Sequence, residues 1–366
     1  MKIQAMVINE PGAEFSMRSL ELDEPRPDEI LVRIAGVGLC HTDIDAAGGA
    51  WGFTFPAVLG HEGSGIVERV GSDVKKVAVG DRVVLTFRSC GECKRCLSGD
   101  PAYCYYMPAL NYVGARSDGS KSIHLDNEEV TSNFFGQSSF ATYALAYERN
   151  VVRAPEGAPL EILGPLGCGV QTGAGGIMRS LACEAGSSVV ITGGGAVGLS
   201  AVMGAVIQGC SEIIIVEPYE ARRALAMELG ATHVIDPKTT PDLPTAVREI
   251  APMGVDYAFD TTGRPELLQT LMDCLGPHGC LGVVGIPPPE TPVPGNMLKT
   301  ITFGHSVKGI IEGDSDPDTF IPELIALHQA GRLPFDRLVR TYRFAEINQA
   351  IKDQHDGKCV KVVLVP

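Results

Sequence analysis

The densest group of metal-binding side chains is the run CGECKRCLSGDPAYC at residues 90–104. Cys90, Cys93, Cys96 and Cys104 follow C-x2-C-x2-C-x7-C spacing, which is typical of four thiolates that enclose one Zn²⁺ in a tetrahedral site. Such a shell has no open position, so a zinc ion here would be structural. Four thiolates also hold iron–sulfur clusters, and disulfides are a third, less favoured use because we expect the protein not to be exported.

A second set of metal-binding residues is dispersed along the chain. Cys40 lies in GLCHTDI, His61 in LGHEGSG and Cys168 in PLGCGVQTGAG. Two thiolates and one imidazole would leave the fourth position of Zn²⁺ open for water or substrate, as a catalytic site requires. More than 100 residues separate His61 from Cys168, so spacing alone does not bring the three together, and buried structural cysteines are the simpler alternative.

A glycine-rich turn follows a predicted strand in VVITGGGAVGLS. Gly193, Gly195 and Gly198 have G-x-G-x-x-G spacing, which is typical of a dinucleotide-binding turn that opens a helix. Glu217 ends the next predicted strand, where a carboxylate accepts hydrogen bonds from both adenosine ribose hydroxyls and repels a 2′-phosphate. We therefore expect NAD rather than NADP. The alternative is a turn that only packs a helix on a sheet, and Arg222 either covers the ribose or faces water.

The elements that must position these residues fall into two classes. From about residue 171 predicted strands and helices alternate, which indicates a parallel sheet with helices on both faces. Residues 27–88 contain short apolar segments broken by Gly and Pro, typical of an all-β region, and residues 105–140 are predicted as loops. The sequence therefore predicts an α/β protein with a doubly wound parallel sheet and a second, mostly β domain, as a length of 366 residues favours.

Charge and composition exclude several classes of partner. The formal net charge of −14 would repel nucleic-acid phosphates and anionic membranes. The first 15 residues contain one Lys and no apolar run of signal-peptide length, so we expect a cytoplasmic protein whose cysteines are thiols or metal ligands. Residues 186–210 are uncharged and long enough to span a bilayer, but three consecutive glycines favour a strand–helix turn instead.

The chain resembles the zinc-dependent medium-chain alcohol dehydrogenases along essentially its whole length. GHEGSGIVERVG, the cysteine run, GCGVQTGAG, the glycine turn and VGIPPP occur in the family's order. FGQSSFATYALAYERNVV and LEILGPLGCGVQTGAGGIMRSL are most similar to the aryl-alcohol (benzyl-alcohol) dehydrogenases. The resemblance implies a Rossmann NAD-binding domain at 170–310, a GroES-like catalytic domain at 1–169 and 311–366, and a homodimer or homotetramer.

The resemblance also assigns metal-site roles by position in the motifs. It implies one catalytic zinc on Cys40, His61 and Cys168 and one structural zinc on Cys90, Cys93, Cys96 and Cys104. Asp43 matches the carboxylate that orients the zinc-bound imidazole, although Asp is also a good helix cap. Thr42 matches the hydroxyl that accepts the alcohol's proton, and Glu62 matches a carboxylate that assists ligand exchange. Local hydrogen bonding is the alternative for both.

Coenzyme contacts follow from the same resemblance. His41 and Lys361 match cationic contacts to the pyrophosphate, and a His binds anions more weakly than an Arg would. The residues that would line the nicotinamide are Thr172, Val197 and Val284. Asp45 replaces the family's histidine that passes the proton to solvent, and its low ordinary pKa makes it a poor proton carrier near neutral pH.

The expected reaction is oxidation of a primary, aromatic or allylic alcohol to the aldehyde, with zinc as Lewis acid and hydride transfer to NAD⁺. Trp51 and Phe53 lie in GAWGFTFPAVLG and either wall an apolar substrate pocket or pack in the core. A glutathione-linked formaldehyde dehydrogenase and an alcohol dehydrogenase of broader aliphatic range are the enzymatic alternatives. A non-catalytic zinc or nucleic-acid-binding protein is a third, opposed by the acidic charge and the coenzyme turn.

Overall fold

The computed structural model describes residues 1–52, 54–126 and 128–366. The chain divides into two compact units, the first comprising Met1–Cys168, Asp316–Leu327 and Asp336–Pro366 and the second Gly169–Ser315 and His328–Phe335. These ranges differ from the predicted domains at residues 169, 311–315 and 328–335. The domain boundaries themselves stay predictions.

The strands in chain order are β1 (Lys2–Ile8), β2 (Ser16–Leu22), β3 (Glu29–Leu39), β4 (Ala57–Val58), β5 (Glu62–Val70), β6 (Arg82–Leu85), β7 (Ile123–Leu125), β8 (Glu128–Val130), β9 (Tyr143–Tyr147), β10 (Val151–Arg153), β11 (Ser188–Thr192), β12 (Glu212–Val216), β13 (His233–Ile235), β14 (Val255–Asp260), β15 (Leu275–Val283), β16 (Ser306–Gly309), β17 (Val339–Arg343) and β18 (Lys361–Val365). The helices are α1 (His41–Ala47), α2 (Lys94–Leu97), α3 (Met107–Asn111), α4 (Gly169–Gly175), α5 (Ala196–Gln208), α6 (Glu220–Glu228), α7 (Leu243–Ile250), α8 (Pro265–Cys274), α9 (Met297–Phe303), α10 (Pro317–Gln329) and α11 (Ile347–His355).

The first unit is built from two sheets of mostly antiparallel strands. One has the order β4-β1-β2-β7-β8, and the other has β10-β6-β5-β3-β18-β17 with β9 also paired to β3. The central strand β3 is buried along almost its whole length and pairs with β5, β9 and β18. Its end therefore lies beside the ends of two neighbouring strands, which brings residues from distant parts of the sequence together.

The second unit contains the predicted doubly wound parallel sheet, and that prediction is confirmed. Its strand order is β13-β12-β11-β14-β15-β16 with every pair parallel, the order typical of dinucleotide-binding folds. The runs SVVIT in β11 and EIIIV in β12 are almost entirely buried, because helices cover both faces of such a sheet.

Two regions differ from the sequence-based expectation. Helix α1 lies within residues 27–88, which were predicted to be all-β. The helix forms there because Asp43 accepts a hydrogen bond from the Cys40 N–H at 3.0 Å and fixes the first turn. The predicted loop region 105–140 contains α3, β7 and β8. Among the described residues, no helix has both the length and the apolar composition needed to cross a bilayer.

Candidate active site

The dispersed metal-binding residues meet in the first unit. One ligand atom from each of Cys40, His61, Glu62 and Cys168 lies within 4.8 Å of every other. Strand register explains part of this arrangement, because Gly38 of β3 pairs with Glu62 of β5 and thereby places Cys40 and His61 side by side. The segment before Cys168 lies tightly against β6, since a Cβ on Gly167 would come within 2.0 Å of the Leu85 carbonyl oxygen.

The His61 ring has one satisfied and one unsatisfied nitrogen. Nδ1 lies 2.8 Å from Asp43 Oδ1, whereas Nε2 is buried and, within the described part of the chain, has no hydrogen-bond partner. A buried polar atom without a partner is costly, and the nearby sulfur atoms of Cys40 and Cys168 complete a set that suits Zn²⁺. The residues therefore fit a zinc ion with three protein ligands.

Asp43 performs two structural tasks at once. Its Oδ1 accepts hydrogen bonds from the His61 ring and from Gly60 N–H at 3.1 Å, and its Oδ2 accepts from Cys40 N–H. The side chain is completely buried. The two predicted alternatives for Asp43, orientation of the imidazole and helix capping, therefore both hold. The same carboxylate fixes two of the metal-binding residues, Cys40 and His61.

The charges around this cluster shift two pKa values in opposite directions. Burial works to lower the pKa of His61, but the Asp43 carboxylate outweighs it and holds that pKa well above the ordinary value. A hydrogen bond from Cys168 lowers the pKa of the Cys40 thiol well below its usual range, aided by His61 and against the effect of burial. Cys40 is therefore readily a thiolate, the form that binds metal.

Glu62 and Lys361 form a buried ion pair beside the cluster. Glu62 Oε2 lies 2.5 Å from Lys361 Nζ, with side-chain exposures of 0% and 2%. Lys361 reaches this position because β18 pairs with the end of β3, and its ammonium also donates to the Leu39 carbonyl at 3.0 Å. Burial raises the pKa of Glu62 to about 6, with Lys361 opposing the increase. The pyrophosphate contact implied for Lys361 stays a prediction.

The four-cysteine run forms a second cluster. Sγ–Sγ distances are 3.8 Å for Cys90–Cys96, 3.6 Å for Cys93–Cys96 and 4.0 Å for Cys93–Cys104. A Zn–S bond of about 2.3 Å gives a tetrahedron with an edge of roughly 3.8 Å. The backbone N–H of Cys90 also points at the Cys104 sulfur at 3.3 Å, as expected for a site that holds negative charge.

An aromatic layer covers the His61 ring. Phe135 stacks on it at 4.5 Å between centroids, and Phe134 approaches edge-on at 5.5 Å. Trp51 stacks in turn on Phe134 and on Tyr112, at 6.0 and 5.3 Å. Trp51 therefore belongs to this layer and also packs against the core. Phe53, the other predicted pocket residue, lies outside the described residues.

Sequence reasoning missed Phe134 and Phe135 as site residues. They lie in a stretch predicted as loop. Phe135 has a left-handed backbone with φ of +53°, a conformation that a phenylalanine in the sequence does not indicate. The subgroup motif FGQSSFATYALAY begins at Phe135 and was the available clue.

The glycine turn of the second unit lies between β11 and α5 as predicted. A Cβ on Gly198 would come within 1.7 Å of the Gly193 carbonyl oxygen, so this glycine is required by close helix packing. A Cβ on Gly195 would meet nothing within 4 Å. Packing does not require a glycine there, which leaves close approach of a ligand as the reason for it.

Glu217 closes one side of this turn. Its carboxylate accepts hydrogen bonds from Gly194 N–H at 2.6 Å and Tyr219 N–H at 2.8 Å. It borders a cavity of about 650 Å³ that Arg222 also lines, with its guanidinium 4.9 Å from the Tyr219 ring centroid. The size and composition of this cavity suit an adenosine group.

Thr172, on α4, is anchored by a residue that sequence reasoning did not identify. Glu312 Oε2 accepts hydrogen bonds from Gln171 Nε2 at 3.1 Å and from the Thr172 hydroxyl at 3.4 Å. Glu312 is buried and left-handed, with φ of +50°, an unusual combination that is typical of functional sites. Val197, in the first turn of α5, and Val284, which follows β15, are partly exposed.

The remaining predicted residues lie on α1. His41 is exposed, and its Nε2 lies 3.5 Å from Asp45 Oδ1, one helical turn away. Thr42, which lies between His41 and Asp45 in the sequence, is half-buried. Asp45 is 39% exposed, so it has the contact with solvent that a proton carrier needs.

Comparison with known proteins places the chain in a family. The model of a zinc-binding dehydrogenase domain matches residues 196–330, and that of an alcohol dehydrogenase GroES-like domain matches residues 26–156. Geraniol dehydrogenase of Castellaniella defragrans is 46% identical over 363 residues, which cover 99% of this chain and 97% of that protein. The crystal structure of benzyl alcohol dehydrogenase from Acinetobacter calcoaceticus superposes with a TM-score of 0.96 at 44% identity, covering 100% of this chain and 99% of the other. An alcohol dehydrogenase zinc-binding domain protein from Burkholderia ambifaria superposes with a TM-score of 0.98 at 48% identity and the same coverage. Since both halves match and the similarity extends over the whole chain, this protein belongs to the zinc-dependent medium-chain alcohol dehydrogenases, as its motifs predicted.

Proposed function

We propose that the protein oxidises a primary aromatic or allylic alcohol to the aldehyde and transfers the hydride to NAD⁺. The observation that carries this proposal is the three-ligand cluster of Cys40, His61 and Cys168, whose imidazole is covered by the Phe134–Phe135 layer. Flat, electron-rich side chains favour contact with an aromatic ring or an allylic double bond. The names of the geraniol and benzyl alcohol dehydrogenase relatives support the same substrate class.

Cys40, His61 and Cys168 would hold a zinc ion, which when bound would act as a Lewis acid and lower the pKa of an alcohol. The chain's own residues do the rest. Asp43 keeps the His61 ring oriented with Nε2 directed at the metal position. Thr42, two residues after Cys40 on α1, is the proposed acceptor of the alcohol proton, and Asp45, one turn from His41 and in contact with solvent, is the proposed exit for it.

Coenzyme binding is assigned to the second unit. The open space at Gly195 and the N–H groups at the start of α5 suit the pyrophosphate, and Glu217 suits an unphosphorylated ribose. Thr172, anchored by Glu312, is proposed with Val197 and Val284 as the nicotinamide contact. NAD⁺ is therefore the expected oxidant, and a homodimer or homotetramer the expected assembly.

The test combines metal content with substrate choice. We expect two zinc ions per chain and higher kcat/KM for benzyl alcohol and geraniol than for ethanol, with NAD⁺ preferred over NADP⁺. Phe135→Ala should reduce the preference for benzyl alcohol over ethanol, while Tyr106→Ala, at an exposed aromatic residue outside the layer over His61, should not. Turnover of formaldehyde only with glutathione would favour the alternative dehydrogenase, and one zinc with no alcohol turnover would refute the proposal.

A further inference from the structure

Two cysteines outside both metal clusters lie on adjacent, hydrogen-bonded segments of the second unit. Five further cysteines, at positions 183, 210, 274, 280 and 359, lie outside both metal clusters. Cys183 and Cys210 lie in connecting segments, Cys183 shortly before β11 and Cys210 two residues after the end of α5. Each thiol lies close enough to the other to shift its pKa.

Backbone contacts hold these two segments in register. Gly186 N–H donates to the Gly209 carbonyl at 2.7 Å, and Ser211 N–H donates to the Ser187 carbonyl at 2.8 Å. The Gln208 side-chain amide donates to the Cys183 carbonyl at 2.9 Å. Two cysteines fixed in this way on adjacent segments need little backbone movement to form a bond between their sulfur atoms.

We propose that Cys183 and Cys210 are a thiol pair that a low-molecular-weight disulfide oxidises to an intrachain disulfide. This modification site is separate from both metal clusters and does not depend on the proposed function. Its chemical partner is a small disulfide such as oxidised glutathione, which enters from the solvent side of Cys210.

The environments of the two thiols fix the order of the reaction. Cys210 is partly exposed, whereas Cys183 is 2% exposed. The hydrogen bond from Cys183 and the Ser187 hydroxyl, 3.5 Å away, lower the pKa of Cys210 to about 7 against the effect of burial. The hydrogen bond with Cys210 and burial raise the pKa of Cys183. Cys210 is therefore the attacking thiolate, and Cys183 acts second.

The electrons and protons balance in two exchanges. Cys210 thiolate attacks one sulfur of the oxidised reagent, forms a mixed disulfide and releases one reagent thiolate. Cys183 then attacks the Cys210 sulfur, gives its proton to the departing second reagent thiolate and completes the protein disulfide. Two protein thiols are oxidised, and one reagent disulfide is reduced to two thiols.

The loop closed by this bond contains the coenzyme-binding turn. Residues 183–210 include β11, Gly193, Gly195, Gly198 and all of α5. The disulfide would tie the chain before the strand to the end of the helix and leave the turn itself unchanged. It should therefore stabilise the second unit against unfolding.

The experiment uses the zinc-loaded full chain. After incubation with oxidised glutathione, free thiols are alkylated and a digest is mapped by mass spectrometry without reduction. We expect a linked pair of peptides that contain Cys183 and Cys210, no attached glutathione at either residue, and zinc content unchanged. Cys210→Ser should abolish the linked pair, whereas Cys280→Ser, a matched control whose thiol lies close enough to influence Cys183, should retain it.

The oxidised protein should unfold at a temperature about 5 °C higher, and reduction should reverse the shift. Stable glutathione on Cys210 without a link, a bond between Cys183 and Cys280, or modification confined to the zinc-binding cysteines would each overturn the proposal. A linked pair without a thermal shift would refute the stabilising effect. Mapping of the unsubstituted chain decides the pairing even where a serine variant folds poorly.

Discussion

Replacement of Asp43 by Asn tests whether one carboxylate organises the metal cluster. Asp43 accepts three hydrogen bonds, from the His61 ring, Gly60 N–H and Cys40 N–H, at 2.8, 3.1 and 3.0 Å. All three partners are donors, and Asn has the same shape but only one acceptor atom. Whichever way the amide turns, its NH₂ group must face at least one of these donors.

The magnitude follows from what is lost. A hydrogen bond to a charged group contributes roughly 1.5–3 kcal/mol, and loss of a carboxylate that orients a metal-bound histidine typically costs about 10–100-fold in affinity or activity. With the oxygen of Asn turned to His61, the lost bond is that to Cys40 N–H, and Cys40 is the neighbouring ligand. We therefore expect zinc affinity of this cluster and kcat/KM to fall by about 30-fold.

Zinc affinity is measured by competition with a chelator, and the four-cysteine cluster in the same molecule provides an internal reference. Asp43→Asn should release one zinc more readily and leave the second bound. Asp45→Asn on the same helix, whose carboxylate lies near His41 rather than His61, should leave both affinities within about twofold. Unchanged zinc retention and kcat/KM in Asp43→Asn would refute the argument that this carboxylate positions the ligands.

Three further outcomes are expected. Glu217→Gln should raise KM for NAD⁺ by about 10-fold and narrow the preference over NADP⁺, because the charge that binds the ribose and repels a 2′-phosphate is removed; equal KM values before and after would contradict this role. Lys361→Met should lower the free energy of unfolding by about 3–5 kcal/mol in urea titrations, because it leaves the buried carboxylate of Glu62 without its ammonium partner. Adding Glu62→Gln should recover part of that loss, and an additive second loss would argue against the ion pair. Cys104→Ser should bind one zinc instead of two by elemental analysis and unfold at a lower temperature; retention of two zinc ions would refute the four-thiolate assignment.

The second unit was predictable because its signals are local. Strands buried on both faces are continuous apolar runs, so SVVIT and EIIIV identify β11 and β12 without knowledge of their neighbours. The glycine spacing between them requires only the strand before it and the helix after it. Glu217 is found by counting from that turn.

The first unit was less predictable because its site depends on strand register. The ion pair of Glu62 and Lys361 joins residues almost 300 positions apart, and it exists because β3 pairs with both β5 and β18 at the right offset. Helix α1 was indicated only by the alternative reading of Asp43 as a helix cap, since the helix follows Cys40, which is not a typical capping residue. The carboxylate that fixes the helix also reaches Gly60 and His61, so its capping role is tied to tertiary structure.

The buried ion pair also constrains how the coenzyme is held. A lysine that contacts a pyrophosphate has to direct its ammonium away from other anions, but Lys361 is 2% exposed and already bonded to Glu62 and to the Leu39 carbonyl. Giving up Glu62 would leave that carboxylate buried with the two thiols of the cluster, at a cost of several kcal/mol. Exposed His41 has no guanidinium fork and cannot bind a phosphate through two parallel hydrogen bonds as an Arg would. We therefore expect most of the binding free energy of the pyrophosphate to come from the N–H groups at the start of α5, which keep their polarity at every pH.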